Sequence, residues 1–589
     1  MRVTTINWRI QYTIVGTMWG LGFLVLTSPP SAGQTAETEQ FLVTDNVIGQ
    51  RGGRLVISQR AEPKTFNPVV ATDKNSQEIS GLINADLIHI NRHSQNTEPA
   101  LARSWTSSND FREYTLQLRS GLRFSDGQPF DADDVLFTFQ VYLDQRVHAP
   151  QRDLLIVAGK PIRLRKVNAY EVQFGFEQPY AAAERLFDSI AILPCHLLKR
   201  AYDGGQLTQT WNLTTPPGQI AGLGPFRVKE YVPGQHIVLE RNQYYWKRDL
   251  NGTRLPYLNE IYSVFTGNAE GEAMRFQQGE IDVVSRLSAT NFAVLQKNER
   301  SRVFRVYDVG PSLEYNFLFF NLNDLTSRNL PSIAGRQAWF RELAFRKATS
   351  AAIDRGAIAR LAYRGRAFAL SSHVTPGNNR WLNSSIPPPI RSVTRAKQIL
   401  RQAGFLWSSD GRLLDERGKP VAFSVVFNAG NPQHEQAATL IQADLAEIGM
   451  DVKLVPLEFR AFVDRIFKSY EYDAAIMQLA SGDADPNSEI NVWTSGGSAH
   501  VWNLESTRAP MPWEQEIDTL MQRQMITPDY EQRKRMYDRV QQLVWENLPL
   551  ICLVSPHVLV GATERLGNFN PAILGDYTLW NAEEFFLHR

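Results

Sequence analysis

Short runs of alternating hydrophobic and polar residues mark the first half of the chain. Residues 54–58 and 114–118 alternate in this way, which predicts half-buried β-strands. After a turn at Ser120 and Gly121, a short alternating segment follows at residues 122–124, so the pattern predicts a β-hairpin between residues 114–118 and 122–124. Further strands are predicted near residues 162–166, 170–176, 227–231, 237–241 and 280–284.

Apolar stripes with helical spacing dominate the second half. They predict helices at residues 343–353, 396–403 and 435–448, and the last of these stops at Gly449 before an apolar strand at 451–455. Helices that return to strands at this spacing predict an α/β fold. Additional helices are predicted at residues 76–90, 513–525 and 530–547, and additional strands at 474–479 and 548–554.

Three acidic residues stand at the start of a predicted helix. Asp131 is placed to accept hydrogen bonds from the first-turn amides, and Asp133 and Asp134 lie near the positive end of the helix dipole. A hard-cation site needs more oxygen ligands in a defined loop spacing. The pattern therefore favours helix capping over metal binding.

The amino terminus has the features of a secretory signal peptide. Arg2 and Arg9 precede an apolar run at residues 12–26, and small residues suited to cleavage follow up to Gly33. The run is short for a membrane span, although an uncleaved anchor stays open as the alternative. Cleavage near Gly33 would place the mature protein in the periplasm of a bacterium with two membranes.

Length, net charge and cysteine content indicate the number of domains, the class of partner and the state of the thiols. A chain of 589 residues predicts two or three compact units, and a net charge of +1 gives no electrostatic reason to expect a nucleic-acid partner. The two cysteines, Cys195 and Cys552, lie far apart in apolar surroundings, which favours two buried free thiols.

Histidine and cysteine spacing predicts neither a metal nor a cofactor. His89 and His93 would lie one turn apart in the predicted helix, a possible metal pair. Because no carboxylate or thiol ligand is evident beside them, hydrogen bonding is the favoured role.

The acidic loop at residues 481–486 is the strongest candidate for binding chemistry. It follows an apolar strand, where α/β sheets usually present ligand contacts. Asp483 and Asp485 could bind an ammonium group through charge-assisted hydrogen bonds, or they could cap the next element. Spacing alone leaves both alternatives open.

Several short motifs occur in the order found in one protein family. Together they resemble the family 5 extracellular solute-binding proteins, the peptide and nickel binding components of ABC importers. The motifs include EPKTFNP at 62–68, PALARSW at 99–105, FDADDV at 130–135, GLGPF at 222–226, GEID at 279–282, FNL at 320–322 and GDADP at 482–486.

The resemblance implies a type II, cluster C-like periplasmic binding fold with two α/β lobes. Lobe I would take residues 48–317 plus 553–589, with an extra inserted subdomain at about 87–204. Lobe II would take residues 318–552. Because no flexible linker separates these parts, short strands are expected to join the lobes and to permit hinge motion.

The resemblance also implies where the ligand lies. Family peptide binders hold an extended peptide by backbone pairing, with side chains in roomy pockets. The carried-over first-lobe contacts are Thr72, Asp73 and Lys74, and the second-lobe contacts are Leu479, Ala480 and Ser481.

Asp483 would match the acid that neutralises the peptide amino terminus, with Asp485 as the substitute. The loop is one residue shorter than in the peptide binders, so the choice between the two acids stays open. Leu479 and Ala480 stand where those proteins often have Gly-Trp, and Trp493 or Trp502 is the candidate for the missing aromatic wall or for core packing.

The expected function is therefore transport rather than catalysis. A monomeric periplasmic receptor would bind an oligopeptide between its lobes and deliver it to an inner-membrane ABC permease. A nickel chelate, an oligosaccharide or another amine is the alternative ligand. An exported peptide hydrolase is the alternative class, which would need a nucleophile and a base that no motif supplies.

Overall fold

A single long strand, Leu550–Thr563, joins the two halves of the main sheet. The computed structural model describes residues 39–588 except 158, 189, 300–302, 326–329, 505–509 and 576. The predicted signal peptide therefore lies outside the described residues. None of the described helices is both long enough and apolar enough to cross a bilayer.

The main sheet of the described chain contains twelve strands of mixed direction. The carboxyl-terminal part of Leu550–Thr563 pairs with Phe304–Pro311, and its amino-terminal part pairs with Glu314–Phe320. We call the parts on either side of this junction the first and second half-sheets. Among the described strands only Leu550–Thr563 pairs with both half-sheets, so the junction is narrow.

The first half-sheet is built around the predicted strand at residues 54–58, observed as Arg54–Gln59. This strand pairs in parallel with Glu260–Phe265, which on its other side pairs antiparallel with His236–Arg241. The remaining strands of this half-sheet are Phe226–Val232, His236–Arg241, Val283–Val284 and Phe304–Pro311.

The second half-sheet has the alternating helix and strand order that the apolar stripes predict. Strand Ala422–Asn428 lies between Asp451–Leu457 and Ala474–Ala480, parallel to both. The α/β prediction is confirmed. The other strands here are Glu314–Phe320 and the short Ala367–Ala369.

A separate four-stranded sheet, the small sheet, corrects the predicted hairpin. Strand Glu113–Leu118 pairs with Ala102–Ser107 on one side and Glu171–Gly175 on the other. The expected partner at residues 122–124 instead makes an isolated bridge between Arg123 and Pro129. The fourth strand of the small sheet is Arg163–Asn168.

Most predicted helices are present within a few residues of the expected bounds. An exception is the one predicted at 76–90, because helix Lys74–Ile83 ends early and Ile88–Ile90 forms a strand with Thr97–Pro99. His89 and His93 are therefore not one helical turn apart, and the prediction of that spacing is wrong. The helices are Lys74–Ile83, Ala132–Leu143, Cys195–Asp203, Ala269–Gln278, Ala289–Asn298, Pro331–Arg341, Leu343–Ala352, Arg355–Leu361, Val393–Gln402, Pro432–Ala446, Phe459–Asp464, Ile490–Trp493, Pro512–Met525 and Tyr530–Asn547.

Helix Ala132–Leu143 confirms the capping role of the acidic cluster. Asp131 accepts a hydrogen bond from the amide of Asp133, and Asp134 reaches back to the amide of Asp131 to complete a capping box. Asp134 also accepts the amide of Cys195 at 2.9 Å, which ties the start of the next helix to this cap. Burial is the main reason that the pKa of Asp134 rises to about 6.

The hydrophobic core is divided in the same way as the main sheet. One cluster fills the first half-sheet and the small sheet, and two others cover the faces of the second half-sheet. Cys552 is buried in the last of these and Cys195 is partly buried, both as free thiols, as the sequence predicts. Burial raises the pKa of Cys552 to about 12, so this thiol stays protonated and inert.

Candidate ligand-binding site

A cavity of about 510 Å³ is lined by Lys74 of the first predicted contact segment and by Gly482, the residue after the second segment. The other predicted contacts do not line it, namely Thr72, Asp73, Leu479, Ala480 and Ser481. Lys74 at the start of helix Lys74–Ile83 lines one side, and Gly482 of the acidic loop lines another. The carboxyl-terminal tail contributes Gly575 and Trp580. A volume of this size falls within the range of about 300–1,000 Å³ that small-ligand sites occupy.

Aromatic rings and ion pairs make up much of the cavity wall. Tyr142, Tyr245, Trp246 and Trp580 line it. Two ion pairs also face it, namely Lys247 with Glu583, whose nitrogen and oxygen are 2.5 Å apart, and Arg92 with Asp188 at 2.9 Å. The wall can therefore contact apolar and charged parts of a ligand at once.

Asp73 is used by the fold as a helix cap. Its carboxylate accepts the amide of Ser76 at 3.0 Å and the hydroxyl of Ser76 at 2.6 Å. Thr72 is exposed beside it, and Lys74 extends toward the cavity. A ligand contact by Asp73 would therefore use its backbone rather than its carboxylate.

Strand Ala474–Ala480 leaves part of one edge without a strand partner. All seven of its residues pair with Glu314–Phe320, whereas its pairing with Ala422–Asn428 covers only Ala474 and Ala475. Among the described residues no strand pairs with this second edge at positions 476–480. The predicted contacts Leu479 and Ala480 lie at this open edge, and Ser481 follows directly.

Asp483 forms a two-pronged ion pair with Arg185. Arg185 belongs to the short helix Ala183–Asp188, and its Nε and Nη2 donate to the two carboxylate oxygens of Asp483. Its Nη1 donates to the carbonyl of Gln95 at 3.0 Å. Burial alone would lower the pKa of Arg185, but hydrogen bonding to Asp483 raises it above its ordinary value.

Asp485 has a different arginine partner. Arg533 of helix Tyr530–Asn547 donates to it at 2.8 Å, and the two side chains are only 8% and 7% exposed. Gln524 accepts hydrogen bonds from Nε and Nη2 of the same guanidinium, and Asp485 also caps the turn Pro486–Glu489 through the amide of Asn487. Asp485 therefore holds the loop to the helices behind it.

Comparison with known proteins decides the family. The sequence pattern described as bacterial extracellular solute-binding proteins, family 5 Middle, matches residues 96–500. The chain belongs to this family. It is 25% identical over 545 residues to the oligopeptide-binding protein AppA of Bacillus subtilis, covering 92% of each chain.

Solved structures show the same fold. AppA from Bacillus subtilis in complex with a nonapeptide has a TM-score of 0.71 at 24% identity, covering 92% of this chain and 100% of that one. NikA from Brucella suis in complex with Fe(III)-EDTA has a TM-score of 0.75 at 20% identity, with 91% and 100% covered. The family 5 chain therefore has the two-lobed α/β fold of these binding proteins.

Trp493 and Trp502 lie in the core of this family 5 chain. Both side chains are 1% exposed, and their rings are 6.0 Å apart. Their indole nitrogens donate to Glu489 and Glu514. Neither ring lines the described cavity, whose aromatic wall comes from Trp246, Trp580 and tyrosines that the sequence patterns did not indicate.

Glu489 lies behind the acidic loop in a buried polar group. With His373, Asn378, Asp485 and Tyr537 it lines a small cavity of about 20 Å³. Burial raises the pKa of Glu489 to about 7, even though the indole of Trp493 donates to it at 2.9 Å. Burial lowers the pKa of His373 to about 3, so this ring is neutral.

Three side chains of the cavity wall have the spacing of a cation site. Asp86, His89 and Asp188 offer ligand atoms that lie within 4.8 Å of one another. Asp188 also accepts Arg92 and the amide of Ile90, so a cation there would share Asp188 with a guanidinium. Sequence spacing could not indicate this group, because Asp188 lies about a hundred positions from its partners.

Three contacts that join residues 96–185 to the second half of the chain were also missed. We call these contacts the seam: Arg185 with Asp483, the amide of Ala181 with the carbonyl of Met525 at 3.0 Å, and Arg380 with Asn96 at 3.3 Å. Each contact joins distant parts of the sequence, and no local motif marks them.

Proposed function

We propose that this chain binds an oligopeptide in the 510 Å³ cavity and delivers it to an inner-membrane ABC permease. The proposal is supported by the family to which the chain belongs. It is also supported by the similarity to AppA, which is named an oligopeptide-binding protein and was solved in complex with a nonapeptide. In this proposal the protein works as a monomer in the periplasm.

The observation that carries the proposal is the open edge of Ala474–Ala480. An extended peptide can pair with a free strand edge through main-chain hydrogen bonds, as in β-strand addition. Residues 476–480 offer such an edge, and Gly482, which follows it by two positions in the sequence, lines the cavity. Backbone recognition of this kind tolerates many peptide sequences.

The proposed lobes correspond to the half-sheets except at the junction, where the boundary at residue 317 falls within strand Glu314–Phe320 of the second half-sheet. Lobe I would contain residues 48–317 plus 553–589, with the inserted subdomain at about 87–204, and lobe II would contain 318–552. The narrow junction at Leu550–Thr563 supports a hinge there, since this is the one described strand that pairs with both half-sheets.

Native mass spectrometry of protein purified without denaturation tests the ligand class. Co-purified peptides of mixed sequence, or capture of peptides from an added pool, would support the proposal. A uniform non-peptide ligand would refute it. Peptides that appear shortened after incubation would instead favour the exported hydrolase.

Gly482→Phe tests the place of binding. A Cβ atom at Gly482 meets nothing within 4 Å and its φ is not positive, so a side chain fits there without strain and enters the cavity. We expect peptide affinity to fall by about tenfold or more, equivalent to at least about 1.4 kcal/mol. Gly496→Phe is the matched control, because Gly496 is equally open but does not line the cavity.

A metal chelate is the second candidate ligand. Asp86, His89 and Asp188 in the cavity wall favour it, and NikA was solved with Fe(III)-EDTA. Titration with Ni²⁺ and histidine, with and without competing peptide, separates the candidates. Binding of the chelate that peptides cannot displace, and that His89→Ala abolishes, would select the chelate.

A further inference from the structure

The carboxylate of Asp483 already has a cation built into the chain. Arg185 supplies two parallel N–H donors to its two oxygens, and Asp483 Oδ1 also accepts the amide of Ala484 at 2.6 Å. A bidentate guanidinium pair of this kind is among the stronger charge-assisted contacts in proteins. The position that a ligand ammonium would occupy is thus filled by Arg185.

Exchange of Arg185 for a ligand ammonium would be unfavourable. The side chains of Arg185 and Asp483 are only 14% and 16% exposed, so a displaced guanidinium would lose its partner in a poorly hydrated place. A single ammonium would also replace two directed hydrogen bonds by a point charge. The intramolecular pair has no translational entropy to lose, whereas a ligand does.

The second acid offers no substitute for a ligand amine. Asp485 is held by Arg533 and caps the following turn, deeper in the protein than Asp483. The lining of the cavity also argues against an amine anchor at this loop, because Gly482 lines the cavity whereas Asp483 does not.

We propose that Arg185 is a specificity-determining residue that makes binding independent of a free amino terminus. This inference rests on the proposed function. The chemical class of ligand is then peptide whose amino end is blocked, cyclised or placed away from Asp483. Recognition comes from the open strand edge and the cavity wall.

A pool of peptides, each present in free and Nα-acetylated form, tests the inference. The full chain is incubated with the pool, unbound peptide is removed, and the ratio of the two forms is measured by mass spectrometry. We expect the ratio to change by less than about threefold. Enrichment of the free form by about tenfold or more, the effect of a charged hydrogen bond, would overturn the inference and leave peptide binding intact.

Retention of neither form would overturn the proposed function and this inference together, so the two failures are distinguishable. Arg185→Gln provides a second readout. Removal of the guanidinium exposes Asp483, and we expect the variant to enrich free peptides by about tenfold, while Arg185→Gln combined with Asp483→Asn returns the ratio to that of the native chain. If Arg185→Gln does not fold, the ratio measured on the native chain still decides the matter.

Discussion

Asp483 and Asp485 are two residues apart in one loop but belong to different parts of the structure. Asp485 faces inward, where a buried arginine of the same half of the molecule holds it. Asp483 faces the seam, where its arginine comes from the segment beside the small sheet. Asp485 therefore fixes the shape of the loop, whereas Asp483 joins two parts of the molecule that a hinge could separate.

This difference shows why a motif match alone cannot assign a binding role. Both acids have the charge and position expected of an amine anchor, yet each already has a guanidinium partner. The two acids differ in the segment that supplies the arginine and in how deeply that arginine is buried. The comparison therefore separates an acid that holds its own loop from one that joins the loop to a distant segment of the chain.

The largest expected effect comes from Asp485→Ala. It leaves Arg533 buried without its carboxylate and removes a cap, so the free energy of unfolding should fall by about 3–5 kcal/mol. Urea denaturation followed by circular dichroism measures this. Glu516→Gln is the control, because its pair with Arg539 is well exposed and should contribute less than about 1 kcal/mol.

Glu489→Gln should change how stability depends on pH. The folded pKa of about 7 lies above the ordinary value of 4.5, so the native state holds a proton that the unfolded state releases. The contribution of Glu489 to native stability is therefore fully present below pH 4.5 and is lost as the pH rises to about 7, by up to about 3 kcal/mol, since one pKa unit is about 1.4 kcal/mol.

The Glu489→Gln variant should lose this part of the pH dependence of stability. Its side-chain amide oxygen can still accept the hydrogen bond from the indole of Trp493. Denaturation midpoints of both proteins at pH 5 and pH 8 provide the measurement. Parallel pH profiles of the two proteins would show that Glu489 is not protonated in the folded state.

Asp483→Asn should have the smallest effect on global stability, below about 2 kcal/mol, because the asparagine oxygen can still accept a hydrogen bond from Arg185. The main consequence should be a shift of the ligand-free protein toward an open form. Small-angle X-ray scattering should then show a larger radius of gyration than in the native chain. A stability loss as large as that of Asp485→Ala would remove the distinction between the two acids.

Local signals predicted most of the helices. Asp131 and its neighbours defined the start of helix Ala132–Leu143, because capping depends on residues a few positions apart. Strand partners were harder, since Glu113–Leu118 pairs with residues more than fifty positions away at Glu171–Gly175. Alternation shows that a strand exists but does not show which edge it meets.

The binding site was predictable only in outline. The resemblance pointed to Lys74 and to the loop that contains Gly482, and the structure places both on one cavity. Arg185, Arg533 and the group Asp86, His89 and Asp188 were not found, because their roles depend on long-range contacts. For Trp493 and Trp502 the sequence left the cavity wall and core packing as alternatives, since sequence does not show which rings face a cavity, and both lie in the core.

Hydrogen–deuterium exchange with and without bound peptide tests most directly whether the ligand pairs with the open strand edge. We expect slower exchange at residues 476–481 and 72–74, with strand Asp451–Leu457 on the far side of Ala422–Asn428 as the internal control. Protection confined to the first two segments would support β-strand addition. Peptide binding that leaves the amides of 476–481 unchanged would contradict it.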